Sequence, residues 1–111
     1  MKQQDKKEWI SALESGDYKK GRYALCLNEN YCCLGVLAEI NGYLSKNKID
    51  GNKYLLNSDK NIGDFFGGGE YLGYERFRLQ EKHHNDLACI NDRTDDFSEV
   101  IEYIKENIET A

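Results

Sequence analysis

The chain contains no proline, so no rigid linker divides it, and its helices must be ended by glycine, asparagine or a change of pattern. It also lacks long apolar runs. The opening MKQQDKKEWI is charged and helix-like, and no window approaches the roughly 18 apolar residues that a membrane span requires. A soluble, cytoplasmic protein is expected, with no membrane partner. A surplus of positive charge is missing as well: 15 Lys and Arg face 20 Asp and Glu, for a formal charge of −5. Acidic residues spread along the chain repel phosphate backbones, so duplex nucleic acid is not an expected partner. Metal-ligand spacing is absent too. Neither CxxC nor HxxxH occurs among Cys26, Cys32, Cys33, Cys89, His83 and His84, and neighbours on a helix point about 100° apart, so no metal and no cofactor is expected. Reduced thiols are the rule inside cells, and a bridge between Cys32 and Cys33 would close a strained ring, which disfavours disulfides.

What is present is enough for one domain. Residues 1–111 are expected to fold as a unit, since two halves would each have too small a core. The first helix reads from about Lys6 to Ser15: Asp5 with Glu8 fits a capping box, Trp9, Ala12 and Leu13 share a face, and Gly16 supplies a left-handed stop. Tyr23, Leu25 and Leu27 then alternate with Arg22, Ala24 and Cys26 as a short strand, hairpin or extended arm. Asn30 is placed to cap a helix from Tyr31 to Ile40 that has no polar face before Glu39 and must be buried nearly all round. Gly35 would let another backbone approach it, and Gly42 would end it. Residues 43–74 read as a loop-rich insert in which KYLLN resembles a strand. A third helix is expected over Arg76–Ile90, with Leu79, His83, Leu87 and Ile90 inward, broken by INDRTDDF. A last helix follows to about Ile108, opened by an Asp96–Glu99 capping box and buried along Phe97, Val100, Ile101, Ile104 and Ile108. The expected class is α+β, helix-dominated, with a central buried helix. So apolar a helix invites self-association, and a homodimer is expected.

The segments ALESG-Y, KGRYALC, YCCLGVLAE and LACINDRTDDFSEVIEYIKENI stand in that order. In that order they resemble a family of short, functionally unassigned proteins from tailed-phage and prophage genomes. The family's pattern is an aromatic-CCLGVL helix with a late LA-x-x-ND segment and a closing helix. The resemblance covers roughly the first 40 and last 25 residues and implies a setting in the cytoplasm of an infected host bacterium. It transfers no catalytic residue. Where the family has a glycine turn after ND, this chain has RTDD.

The sharpest catalytic possibility is a cysteine nucleophile. Cys32 in the first turn of a helix, His83 or His84 as base, and Asn91 or Asp92 to orient it would make a small hydrolase or transferase. Burial as small apolar residues explains the same cysteines more simply. The acidic run Asp92, Asp95, Asp96 and Glu99 complements a helix dipole and lacks calcium-loop spacing. Gly67–Gly69 lacks the Lys-Ser/Thr of a phosphate loop. Lys19, Lys20 and Arg22 form the one compact basic patch. With Tyr23 beside it, that patch is the expected contact for one phosphate or carboxylate of a ligand. The expected function is therefore binding. A phage accessory factor would inhibit a host protein or sequester a small nucleotide-like signal, as a host-takeover or counter-defence device.

Overall fold

Trp9 sets the first helix. In the computed structural model, which describes residues 1–22, 25–46, 51–55 and 76–110, α1 spans Gln3–Glu14 and buries Asp5, Trp9 and Leu13. Their i, i+4 spacing makes one stripe. The expected Asp5–Glu8 capping box does not form, because the helix starts earlier, with Lys2 at its N-cap and no side-chain bond there. Asp5 turns inward instead, and Arg76 holds its carboxylate at 2.9 Å. A buried carboxylate needs such a partner. The same guanidinium lies over the Phe77 ring, 4.7 Å from its centroid.

Five short strands follow among the described residues, β1 (Lys19–Lys20), β2 (Cys26–Leu27), β3 (Asn30–Tyr31), β4 (Leu44–Lys46) and β5 (Lys53–Leu55). They form one sheet in the order β1-β3-β2-β5-β4, with β1 and β3 parallel and the other pairs antiparallel. The expected arm is the β2–β3 hairpin, with Leu27 opposite Asn30. Its burial phase differs from the alternation read in the sequence: Leu25 and Cys26 are buried, and Leu27 is 42% exposed. The reason is the turn. Asn28 and Glu29 both have positive φ, 53° and 66°, as a two-residue turn matched to strand twist demands. A side chain at Glu29 is strained there. Glu29→Gly is accordingly expected to raise stability by about 0.5 kcal/mol, read as a higher urea midpoint. An unchanged or lower midpoint would refute the strain. Within 43–74, β4 and β5 pair, so KYLLN does begin as a strand. Residues 47–50 and 56–74 of that stretch, like Tyr23, lie outside the described residues.

Helix α2 spans Cys33–Ile40, with every residue from Cys33 to Ala38 buried. Asn30, the expected cap, is in β3, and Cys32 takes the N-cap place with its Sγ accepting from the Gly35 N–H at 3.2 Å. At the other end Gly42 donates to the Glu39 carbonyl at 3.1 Å and Tyr43 to that of Ala38 at 2.9 Å, a complete left-handed stop with Gly42 at φ +78°. Eight residues make too short a helix to persist alone. Packing makes it: α1, β3, β4 and the third helix cover it. A second copy of the chain is not needed for that cover, so the ground for expecting a homodimer is met within one molecule.

Helix α3 spans Glu81–Arg93 and α4 spans Ser98–Asn107. The former begins later than the expected Arg76 and runs through the INDR stretch expected to break it. Phe77 and Leu79 are buried ahead of the helix, and His84, not His83, shares the inward side with Leu87 and Asn91. On α4 the expected stripe is there, with Phe97, Val100, Ile104 and Ile108 buried. The expected Asp96–Glu99 capping box does not form: Phe97 is the N-cap and has no side-chain bond there, Asp96 accepts from the Ser98 N–H at 2.9 Å in a turn ahead of the helix, and Glu99 lies 3.6 Å from Arg93. Together these elements make an α+β fold dominated by helices around one buried helix. No helix among the described residues is long and apolar enough to cross a membrane.

Candidate functional site

The basic patch lies at the sheet edge, where β1 faces the loop into α4. Arg22 is occupied there. Its Nε donates to the Asp92 carbonyl at 2.9 Å, and one terminal nitrogen donates to the Thr94 carbonyl at 2.9 Å and to the Asp95 carboxylate at 2.8 Å. Carbonyls at the end of a helix carry partial negative charge, and a guanidinium fork suits them. Arg22 thus ties the end of α3 to the sheet rather than waiting for a ligand. Lys20 lines an open groove of ≈ 530 Å³ with Leu13, Tyr18, Phe97 and Ile101 along it and Glu14, Asp95 and Asp96 among its polar lining. Partial burial, then the Arg22 charge, lowers the Lys20 ammonium from its usual pKa. The Asp96 carboxyl is lowered by the N–H bond from Ser98. Lys19 is exposed beside them. The groove therefore offers one ammonium among carboxylates, a weaker anion site than three clustered cations would make.

The thiols occupy the opposite kind of environment. Cys32 and Cys33 are fully buried, Cys32 as the cap of α2 and Cys33 with its Sγ 3.9 Å from the Leu87 carbonyl. Burial pushes the Cys32 thiol up to about 12 and the Cys33 thiol well above its ordinary value, the latter also through its neighbour Cys32. In the unfolded chain both ionise near pH 9. Folding keeps them protonated, so their contribution is complete below pH 9 and is lost as pH rises above it, by about 1.4 kcal/mol per pH unit for each thiol still protonated in the fold. Urea unfolding at pH 8, 9 and 10 is expected to show that decline. A flat profile would mean that the thiols reach water.

Asn91 has a role that spacing alone does not reveal. Fully buried, it accepts from the Cys33 N–H at 3.1 Å and donates to the Gly21 carbonyl at 2.9 Å, while the Trp9 Nε1–H donates to the Cys33 carbonyl at 2.9 Å. The side chain clasps the start of α2 to the segment after β1. His83 is elsewhere, its ring against Tyr103 with centroids 6.2 Å apart. Eight residues of α3 separate it from Asn91, about 12 Å along the axis. The structure does not gather Cys32, His83 and Asn91 into one constellation. A further polar row escapes sequence reading because three strands and α2 assemble it: beside Cys26, Lys53 Nζ donates to the Tyr31 hydroxyl at 2.9 Å and to Glu39 at 2.6 Å. The cross-strand pairs Cys26↔Tyr31 and Cys26↔Lys53 place these side chains side by side.

The family described as a domain of unknown function, DUF8296, matches residues 1–65, from α1 through β5. No curated protein and no solved structure matches.

Proposed function

We propose that this chain, which belongs to the DUF8296 family, works by binding: it is a tailed-phage accessory protein that occupies a host protein or sequesters a small nucleotide-like signal in the bacterial cytoplasm. The observation that supports a binder is the state of Cys32. Its sulfur is sealed from solvent and accepts the Gly35 N–H, so it is fitted to cap a helix, whereas a nucleophile must meet its substrate as an accessible thiolate. No observation favours the Cys32-dependent hydrolase or transferase. Lys19 and Lys20, at the edge of the groove, are the contacts proposed for a partner's anionic group, with Arg22 holding the loop that forms the far wall.

Iodoacetamide labelling of the native protein from pH 5 to 9, followed by peptide mass analysis, tests the thiol directly. Exposed Cys89 is expected to label and Cys32 to stay unmodified. The effect on infection separates the two classes of function. Cys32→Ser keeps a capping oxygen and is expected to alter phage plating as much as the unchanged protein does. Loss of that effect in a folded Cys32→Ser protein, or labelling of Cys32 as fast as Cys89, would overturn the binding reading.

A further inference from the structure

Two grooves run along either side of the end of α1 and meet at Tyr18. One is the ≈ 530 Å³ groove beside Lys20, and the other, ≈ 360 Å³, is lined by Glu8, Ala12, Ser15, Asp17, Tyr18 and Ile40. We propose that the two together dock a basic, amphipathic segment of a host protein. This rests on the binding function proposed above and chooses a polypeptide over a nucleotide as what is bound.

The floor is apolar. Leu13 and Phe97 are buried beneath the first groove, and Ala12, Tyr18, Ile40 and Ile101 are partly buried side chains packed on the core along the pair. Tyr18 stands between the grooves with its ring edge-to-face on Tyr31, centroids 5.2 Å apart, so it offers a rigid aromatic contact to a partner. The walls supply the sign of that partner. Among the described residues, Glu8, Asp17 and Asp96 make no ion pair, while Asp95 and Glu14 are paired with Arg22 at 2.8 Å and with Lys105 at 3.8 Å. Lys20 is the one cation among the described residues that line either groove. With the paired carboxylates set aside, negative charge still exceeds positive. Both α1 and α2 finish beside these grooves with no basic residue in the last turn, and the partial negative charge of a helix end favours a cation. Outside the described residues the sequence holds Lys48 and Lys60 against Asp50, Asp59, Asp64, Glu70 and Glu75, so the rest of the chain carries no surplus of cations to neutralise the walls. Nucleotide phosphates would be repelled here. Lysines or arginines interleaved with apolar side chains at helical spacing meet walls and floor at once, and one acidic residue among them meets Lys20.

The test titrates the full chain with a synthetic peptide of about 14 residues, leucine on one helical face and lysine elsewhere, following backbone amide shifts by NMR. Saturable shifts centred on residues 8–20, 40 and 95–101 are expected. Asp17→Asn combined with Asp96→Asn keeps an acceptor for the Ser98 N–H and is expected to weaken binding about fivefold at an unchanged melting temperature. Glu102→Gln combined with Glu106→Gln, at exposed positions of α4 outside both grooves, is expected to leave affinity within about twofold. A peptide with serine in place of leucine is expected to bind more than about tenfold more weakly. Saturation absent at millimolar peptide, equal losses in the two double variants, or equal binding of the serine peptide, of a peptide with glutamate in place of lysine, or of ATP would each overturn the docking assignment. The Cys32→Ser infection assay decides whether the chain is a binder and these titrations decide only what it binds, so the two readings fail separately.

Discussion

Gly35→Ala is expected to abolish folding. A Cβ built at Gly35 falls inside the Leu25 carbonyl oxygen and lies 2.7 Å from its carbon, so backbone meets backbone with no flexible side chain to yield. Both partners are fixed. Leu25 is fully buried and its carbonyl accepts the Cys32 N–H at 3.2 Å, while Gly35 lies in the first turn of a helix buried all round. Overpacking a core costs about 1–3 kcal/mol when side chains can shift and more when the backbone must. Against a total stability of about 5–15 kcal/mol, a loss above about 5 kcal/mol unfolds a chain at the low end of that range, where so thin a core places this one. Circular dichroism and gel filtration of Gly35→Ala are expected to show an unfolded or aggregated chain. A cooperative melt within a few degrees of the unchanged protein would show that β2 and α2 are not in this contact.

Asn91→Ala carries the second-largest expected effect. It strips partners from the Cys33 N–H and the Gly21 carbonyl at once and leaves a space in the core. Each buried backbone group left unpaired costs about 1–3 kcal/mol, which predicts a total loss of about 3 kcal/mol in chemical denaturation. His83→Ala, at the other end of the same helix, is expected to cost much less, since His83 is only half-buried. If instead Asn91 acted only on a substrate, Asn91→Ala would leave stability within about 0.5 kcal/mol.

The elements most open to sequence reading were those governed by local rules. Trp9 as anchor, the left-handed stops at Gly16 and Gly42, the buried α2 and the Phe97–Ile108 stripe all follow from spacing and cap chemistry, and the structure has each of them. Helix starts were misplaced where a residue able to cap was claimed by another partner. Asp5 is taken by Arg76 at a separation of 71 residues, and Asn30 is taken by strand pairing. The same cause misdirected the site. Lys19, Lys20 and Arg22 are adjacent in sequence, but Arg22 is spent on the Asp92–Asp95 segment, about 70 residues away. Asn91 reads as a polar residue near a thiol, which fits a catalytic orienter as well as a clasp, and only its two backbone partners decide between them. The pair of grooves at Tyr18 was invisible because it joins residues from both ends of the chain.

That joining has a consequence for how the protein is made. α1 packs on α4, and α2 packs on α3, so the nascent chain leaves the ribosome with its most apolar helix before the partners that shield it exist. The segment that the family match spans, 1–65, contains α2 but neither α3 nor α4. Released at that point, it would present Val36, Leu37 and Ala38 to water or to a chaperone, and closure must wait until α3 and α4 have been made.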